Sequence, residues 1–147
     1  MPLLYDTTRK ASQLAESDIA EITARLKGQI AGEVRMDRYT RLMYSTDASI
    51  YQMVPVGVVV PRTVDDVDAA MRTAREFGIP VMPRGGGTSL AGQTVNHAIV
   101  IDFSKYMRNI LEVSPEERWA RVQPGIVNNH LSAAVRQHVI SGVVVAP

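Results

Sequence analysis

Three consecutive glycines, Gly85–Gly87, are the feature of this sequence best suited to chemistry. Glycine loses more backbone entropy on folding than any other residue, so such a run persists where the chain needs positive φ or where a ligand approaches the backbone closely. Successive N–H groups of a glycine turn point into one concavity that binds anions. Arg84 adds a positive charge, and Thr88 and Ser89 add hydroxyl donors. The pattern predicts a phosphate or pyrophosphate site, with a tight structural turn as the alternative.

The surrounding sequence separates this loop from two common phosphate-binding motifs. In a Rossmann fold, the glycine loop opens a helix whose N-terminus holds the pyrophosphate. Here the segment 90–96 contains Gly92 and leads directly into the apolar stretch Ala98–Asp102, so no helix of useful length fits. A P-loop would need Lys-Ser or Lys-Thr after a glycine. We therefore expect binding through backbone and hydroxyl donors. Asp102 lies near the position of a ribose-binding acid but is expected to be a strand-end residue.

Other polar residues favour structural roles. His130 and His138 lie about two helical turns apart, and no acidic partner completes a metal-ligand set with them or with His97. Asp65 and Asp66 are interpreted as charges at a helix N-terminus rather than as a catalytic pair. The sequence predicts no metal site and leaves the catalytic residues unknown.

Composition bounds the class of protein. The chain has 147 residues, 46% of them hydrophobic, and a net charge of +1, which suits a globular domain rather than a nucleic-acid or membrane-surface protein. Cysteine is absent, which excludes disulfides and thiolate chemistry within the chain. No secretory pattern stands at the start, and no apolar run approaches the roughly 20 residues that span a bilayer. A cytoplasmic location is predicted.

Apolar patterns predict the elements that position the loop. A βαβ unit is expected, with its two strands forming a right-handed parallel pair. Its parts are strand Val56–Val60, a helix from Thr63 with Thr63 and Asp66 as a capping box and Gly78 as the C′ residue, and strand Ile79–Met82. The helix is expected to bury a stripe of Val64, Val67, Met71, Ala74 and Phe77.

Further elements are expected on either side of that unit. They are a helix Ala11–Ile30 with Ser17 as its N-cap, a strand Ala98–Asp102, a hairpin of Ile110–Val113 and Arg118–Val122, a helix Val127–His138, and a strand from Val143. The segment 32–52 is either an ordered lead-in that covers part of the core or a solvated connection.

The order of these motifs resembles a known family. The matching stretches are Tyr44–Ser49, Pro61–Val67, Gly78–Gln93, Val100–Asp102 and Val122–Gly125. Together they resemble the FAD-binding domain of the p-cresol methylhydroxylase and vanillyl-alcohol oxidase superfamily. They are most similar to the FAD-linked oxidases related to glycolate oxidase and D-lactate dehydrogenase. The segment from Tyr44 resembles the lead-in of large bacterial members that carry a C-terminal iron–sulfur module.

The resemblance implies an α+β domain of the p-cresol methylhydroxylase (PCMH) type. Its first lobe is the βαβ unit with the glycine loop, and a β-hairpin and helix begin a second, incomplete lobe. FAD is expected to lie between the lobes with its pyrophosphate on the loop. The implied cofactor-binding residues are Pro83, Arg84, Gly85, Gly86, Gly87, Thr88, Ser89, Gly92, Gln93, Pro124 and Gly125. Relatives with covalent flavin often carry histidine where this sequence has Thr88, which implies non-covalent FAD.

The expected organisation is an N-terminal helix and lead-in, 1–52, followed by the FAD-binding domain, 53–147. The family pattern continues beyond the last residues of this sequence with further FAD contacts and a substrate domain, so we expect the N-terminal portion of a flavin-dependent oxidoreductase that acts on a 2-hydroxy acid or a similar alcohol. The alternative is a non-catalytic nucleotide- or phosphate-binding module, or an inactive fragment. Self-association through the apolar face left by the missing lobe is also expected.

Overall fold

The computed structural model describes residues 14–138, and side chains up to residue 136. Within this range, the helices are α1 (Glu16–Gln29), α2 (Arg38–Met43), α3 (Val64–Phe77) and α4 (Asn128–His138). The strands are β1 (Glu33–Arg35), β2 (Gly57–Val60), β3 (Val81–Arg84), β4 (Ile99–Asp102), β5 (Ile110–Ser114) and β6 (Trp119–Val122). The predicted strand from Val143, and the predicted helix start at Ala11, lie outside the described residues.

Four strands form one sheet in the order β1-β2-β4-β3, and β5 and β6 form a separate hairpin. Strands β2 and β3 run parallel to β4, whereas β1 is antiparallel to β2. Every residue of β2 and β4 is buried, as expected for apolar strands covered on both faces. One face packs against α1 and α3, and the other carries Val58, Val60 and Val100 beneath Tyr44 and Tyr106.

The predicted pairing of the βαβ strands is wrong, because β4 lies between β2 and β3. The two strands share a direction, but each hydrogen-bonds to β4. A local pattern can identify a crossover, but the strand that fills the gap comes later in the sequence. This order places Arg84, the last residue of β3, opposite Asp102, the last residue of β4. The glycine loop therefore starts at the carboxyl edge of two adjacent parallel strands.

Helix α3 begins and ends as predicted. The Thr63 hydroxyl accepts a hydrogen bond from the Asp66 N–H at 3.2 Å, and the Asp66 carboxylate accepts from the Thr63 N–H at 3.4 Å. This is the expected capping box. Gly78 ends the helix with φ of 65°, the left-handed conformation that glycine adopts without steric cost.

The buried face of α3 differs from the predicted stripe. The residues buried along this helix are Asp66, Ala69, Ala70, Thr73 and Ala74. Val64 and Met71 are 72% and 49% exposed, so their assignment to the core is wrong. Small side chains on the buried face let the helix lie close to its neighbours, and Val67 and Phe77 pack only at the margin.

The segment 32–52 is an ordered lead-in rather than a solvated connection. Residues of β1 pair with Val58–Val60 and extend the sheet by one strand. Helix α2 begins after Asp37, whose carboxylate accepts from the Thr40 N–H at 2.8 Å. Residues Thr46 and Gln52 form an isolated antiparallel bridge. The segment between α1 and the βαβ unit is thus part of the fold.

Helix α1 has Ala15 rather than the predicted Ser17 as its N-cap. The Asp18 carboxylate accepts from the Ala15 N–H at 3.1 Å, so the side chain at the third helical position caps the backbone. Ile22 and Leu26 are fully buried in the core cluster that also contains Ala70 and Ala74 of α3. The helix therefore closes one face of the sheet together with α3.

The predicted hairpin and final helix are confirmed. Strands β5 and β6 pair antiparallel with an irregularity between Ile110 and Glu112, and the turn between them includes Arg118 at φ of 61°. Helix α4 follows at Asn128–His138, with Val135 buried. These elements begin the second lobe.

Two glycines at helix C-termini should respond to alanine with opposite signs. Gly28 lies in α1 with no atom within 4 Å of an added Cβ, so Gly28→Ala should raise the free energy of unfolding by about 0.5–1 kcal/mol. Gly78→Ala should lower it by about 1 kcal/mol, because alanine is strained at positive φ. Thermal denaturation of the two variants tests this, and equal signs would contradict the assigned Gly78 conformation.

Candidate cofactor site

The glycine loop leaves the carboxyl end of β3 and returns to the sheet at β4 without forming a helix. Residues 85–98 contain only turns, bends and irregular backbone, which confirms the helix-free expectation. Gly85, Gly86 and Thr88 are exposed, and Gly87 and Ser89 are half-buried. The loop thus presents its middle to solvent.

The three glycines differ in whether the fold itself requires glycine at their positions. Gly87 has φ of 66°, and a Cβ there would lie 2.4 Å from an Arg84 guanidinium nitrogen. Gly85 and Gly86 have no positive φ. A Cβ on Gly85 would meet no atom within 4 Å, and one on Gly86 would meet only the Thr88 methyl group at 3.6 Å. The structural-turn alternative therefore explains Gly87 but not Gly85 or Gly86.

Some polar groups of the loop form hydrogen bonds within the protein, whereas others have no partner among residues 14–136. The Ser89 hydroxyl accepts from the N–H groups of Ala91 at 3.3 Å and Gln93 at 3.1 Å, and it also bonds to the Gln93 side chain. Among residues 14–136, no oxygen accepts a hydrogen bond from the backbone N–H groups of residues 85–89. Ser89 thus closes the loop, while these N–H groups have no partner among residues 14–136 and the Thr88 side chain is exposed.

Arg84 directs its guanidinium into the protein. One terminal nitrogen donates to the Tyr44 and Thr94 carbonyls, each at 3.3 Å, and the other donates to the Thr46 carbonyl at 2.8 Å. The guanidinium carbon lies 5.1 Å from the centre of the Tyr44 ring, a cation–π arrangement. This side chain joins the loop to the segment Tyr44–Met53, called the flanking segment below.

Asp47 provides a second tie between the flanking segment and the loop. Its carboxylate accepts from the Ser49 N–H at 2.9 Å and from the Thr94 hydroxyl at 3.0 Å and N–H at 3.3 Å. Hydrogen bonding, first from the Ser49 side chain and then from the Ser49 N–H and from Thr94, outweighs burial and lowers the pKa of Asp47 to about 2. The Ala48 N–H also donates to the Gly87 carbonyl at 3.1 Å. Asp47 was not predicted as a site residue, although it precedes Ser49 at the spacing of an Asx turn.

Asp102 is a strand-end residue, as expected. It ends β4, is 6% exposed, and accepts from the Tyr44 hydroxyl at 2.5 Å and the Ser104 N–H at 2.8 Å. Burial and the hydrogen bond to this carboxylate raise the pKa of Tyr44, so the phenol stays protonated. The carboxylate is thereby committed to the protein interior.

The remaining predicted contacts lie in closely packed or exposed positions. Gly92 has φ of 72°, and a Cβ there would lie 2.7 Å from the Tyr51 ring. A Cβ on Gly125 would lie 2.1 Å from the Phe103 carbonyl oxygen. The packing of the protein itself therefore requires glycine at both positions. Pro83 lies in β3, and Gln93, Pro83 and Pro124 are exposed.

His97 and the charged residues beside β1 have partners within the protein. His97 Nδ1 lies 2.8 Å from the Val54 carbonyl, His130 is exposed on α4, and the His138 side chain lies outside the described residues. A cavity of about 280 Å³ lies beside β1. Its Glu33 carboxylate bonds to Lys105, Tyr106 and Arg35, which lowers the pKa of Glu33 to about 2, so these charges are paired with one another.

The donor set of the loop fits the diphosphate of a dinucleotide. Exposed glycines give a ligand direct access to the backbone, and a run of N–H donors suits oxygen atoms that only accept hydrogen bonds. Two large apolar side chains are exposed, Ile50 of the flanking segment at 95% and Leu90, which follows Ser89, at 81%. Self-association through the apolar face left by the missing lobe stays a prediction. Within residues 14–138, no helix has the length and hydrophobicity to cross a bilayer.

Known proteins are similar to this chain in sequence. The chain is 44% identical over 113 residues to D-2-hydroxyglutarate dehydrogenase of Pseudomonas putida, covering 73% of this chain and 11% of that protein. It is 37% identical over 112 residues to the glycolate oxidase subunit GlcD of Bacillus subtilis, covering 73% and 24%. The chain therefore spans about a tenth and a quarter of these two relatives.

The fold matches a solved structure from the expected superfamily. The structure of p-cresol methylhydroxylase with bound substrate superposes with a TM-score of 0.67 at 17% identity, covering 86% of this chain and 26% of that one. A family model described as an FAD binding domain matches residues 55–146. The chain thus belongs to the family of FAD-binding domains, with the α+β architecture of the p-cresol methylhydroxylase type.

Proposed function

We propose that the glycine loop binds the FAD pyrophosphate and that the chain is the FAD-binding portion of a flavin-dependent oxidoreductase. The observation that supports this most strongly is the open space at Gly85 and Gly86. Neither residue has positive φ, and nothing in the described fold crowds their Cβ positions. Close approach of a ligand explains glycine at these two positions.

In the proposed site, the N–H groups of Gly85 and Gly86 and the hydroxyl of Thr88 donate to phosphate oxygens. Ser89 and Gln93 fix the far end of the loop through their mutual hydrogen bonds. Gly92, Pro124 and Gly125 are proposed as neighbours of the cofactor that act through backbone shape. Thr88 cannot form the histidyl linkage of covalent relatives, so the proposed FAD is held non-covalently.

The proposed reaction is oxidation of a 2-hydroxy acid or a similar alcohol. Its support is the similarity to a D-2-hydroxyglutarate dehydrogenase and a glycolate oxidase subunit. FAD, when bound, accepts the hydride and passes electrons onward. In this proposal the residues described here bind and orient FAD. None of them is assigned to proton transfer or to contact with the substrate.

Titration of the 147-residue chain with FAD tests the proposal. We expect a perturbed flavin absorption spectrum and a raised thermal midpoint, because a ligand that binds only the folded state stabilises it. Inorganic pyrophosphate should compete with FAD. If AMP and pyrophosphate bind while FAD gains no affinity from its flavin half, the phosphate-binding module is the correct function. Absence of any shift with all three ligands would contradict both functions.

A further inference from the structure

We propose that Arg84 is a positioning residue of the cofactor loop rather than a phosphate ligand, and that the flanking segment is part of the cofactor site because it holds this loop in place. The inference takes its ligand from the FAD site proposed above. It adds to that site a segment, Tyr44–Met53, that precedes the matched region 55–146.

The guanidinium donors of Arg84 are bonded to backbone carbonyls of the protein. They reach two carbonyls of the flanking segment, at Tyr44 and Thr46, and one beyond the loop, at Thr94. Three carbonyls from two separate stretches of chain therefore bond to one planar group, whose carbon lies 5.1 Å from the centre of the Tyr44 ring. A charge held in this way stabilises the protein's own backbone rather than a ligand.

The glycine loop crosses directly over this guanidinium group. A Cβ on Gly87 would lie within 3.0 Å of three guanidinium atoms, so the glycine backbone packs against the Arg84 side chain. The Gly87 carbonyl accepts from the Ala48 N–H at 3.1 Å. The guanidinium and this backbone bond thus tie the same turn of the loop to the flanking segment.

A third set of contacts extends the tie to the far side of the loop. Asp47 accepts two hydrogen bonds from Thr94, and Tyr51 packs against Gly92. The Met53 N–H donates to the Ser45 carbonyl at 2.9 Å and closes the flanking segment on itself. The direction of the open N–H groups at Gly85 and Gly86 therefore depends on residues that need not touch FAD.

Lysine separates the two roles of Arg84. A phosphate ligand needs the charge, which lysine keeps, whereas the positioning role needs a planar group with two separate donor nitrogens. The test measures hydrogen exchange of the Ala48 amide in the unliganded 147-residue chain. Arg84→Lys and Arg84→Ala should both accelerate this exchange by about tenfold or more. Arg72→Lys, at an exposed helical position, should leave it unchanged.

Rescue of Ala48 protection by added guanidinium ion is a readout that general destabilisation of the fold would not change. Guanidinium ion at a low, non-denaturing concentration should restore Ala48 protection in Arg84→Ala, and ammonium ion at the same ionic strength should not. Unchanged Ala48 protection in Arg84→Lys would overturn the proposal, as would equal rescue by both ions.

Flavin titration of the same variants completes the test. Arg84→Lys should weaken FAD binding about as much as Arg84→Ala, roughly tenfold, with the salt dependence of the affinity unchanged because the phosphate donors remain. Wild-type affinity in Arg84→Lys with loss only in Arg84→Ala would establish a phosphate ligand and overturn the proposal. If the wild-type chain binds no FAD, the proposed function fails, and the exchange experiment still decides whether Arg84 holds the loop.

Discussion

Gly86→Asp is expected to abolish FAD binding while leaving the unliganded fold intact. An aspartate side chain has room at this position, since only the Thr88 methyl group approaches the Cβ site. Its carboxylate would occupy the space proposed for the pyrophosphate. Two like charges about 4 Å apart repel by roughly 4 kcal/mol at an effective dielectric constant of about 20. That energy corresponds to an affinity loss of about a thousandfold. Flavin absorption titration measures the loss.

Three control variants separate charge, shape and folding in this experiment. Gly86→Ala should weaken FAD binding less, while the unliganded chain stays as stable as wild type or gains up to about 1 kcal/mol. Gly87→Ala should lower the thermal midpoint even without ligand, because its φ is positive and Arg84 fills the space. Ala20→Asp adds the same charge at an exposed position of α1 and should not change the affinity. Wild-type affinity in Gly86→Asp would refute the loop assignment.

The candidate site shows what sequence alone can specify. The glycine run, the hydroxyl residues and the absence of a following helix are local features, and the sequence was sufficient to predict that the loop returns to the sheet without a helix. That the loop binds an anion stays a prediction. The orientation of Arg84 was not predictable, because its partners Tyr44 and Thr46 lie about 40 residues earlier in the chain. Without these partners, a basic residue beside a glycine loop is most simply interpreted as a ligand for phosphate.

The fold shows the same division between local and distant information. Strands β2 and β4 were predicted because continuous apolar residues indicate burial on both faces. Strand β1 was missed, since Glu33–Arg35 has only three residues, two of them charged, and its pairing with β2 defines it. The stripe on α3 failed for a related reason: alanines are weak hydrophobic signals in sequence, yet they form the face that packs against α1 and the sheet.

Asp66→Ala is expected to lower the free energy of unfolding by about 3–5 kcal/mol. Asp66 is 2% exposed, and its carboxylate accepts from four backbone N–H groups. The donors are Ala31 at 2.8 Å, Gly32 at 3.1 Å, Arg62 at 2.8 Å and Thr63 at 3.4 Å. Removing the carboxylate leaves these partly buried donors without their partner and disconnects the end of α1 from the start of α3. Urea denaturation of the unliganded chain measures the change.

Acid titration of stability provides a second test of Asp66 with a defined sign. Burial alone would raise the pKa of Asp66, but the four N–H donors, led by Arg62 and Ala31, outweigh it and hold the pKa below its ordinary value. A depressed carboxyl pKa contributes stability that is fully present above the unfolded value of about 3.9 and is lost as pH falls through the folded value. Wild type should therefore lose more stability below about pH 4 than Asp66→Asn does. The exposed neighbour Asp65→Asn should follow the wild-type profile, and a profile of Asp66→Asn that matches both would show that this carboxylate does not join the two helices.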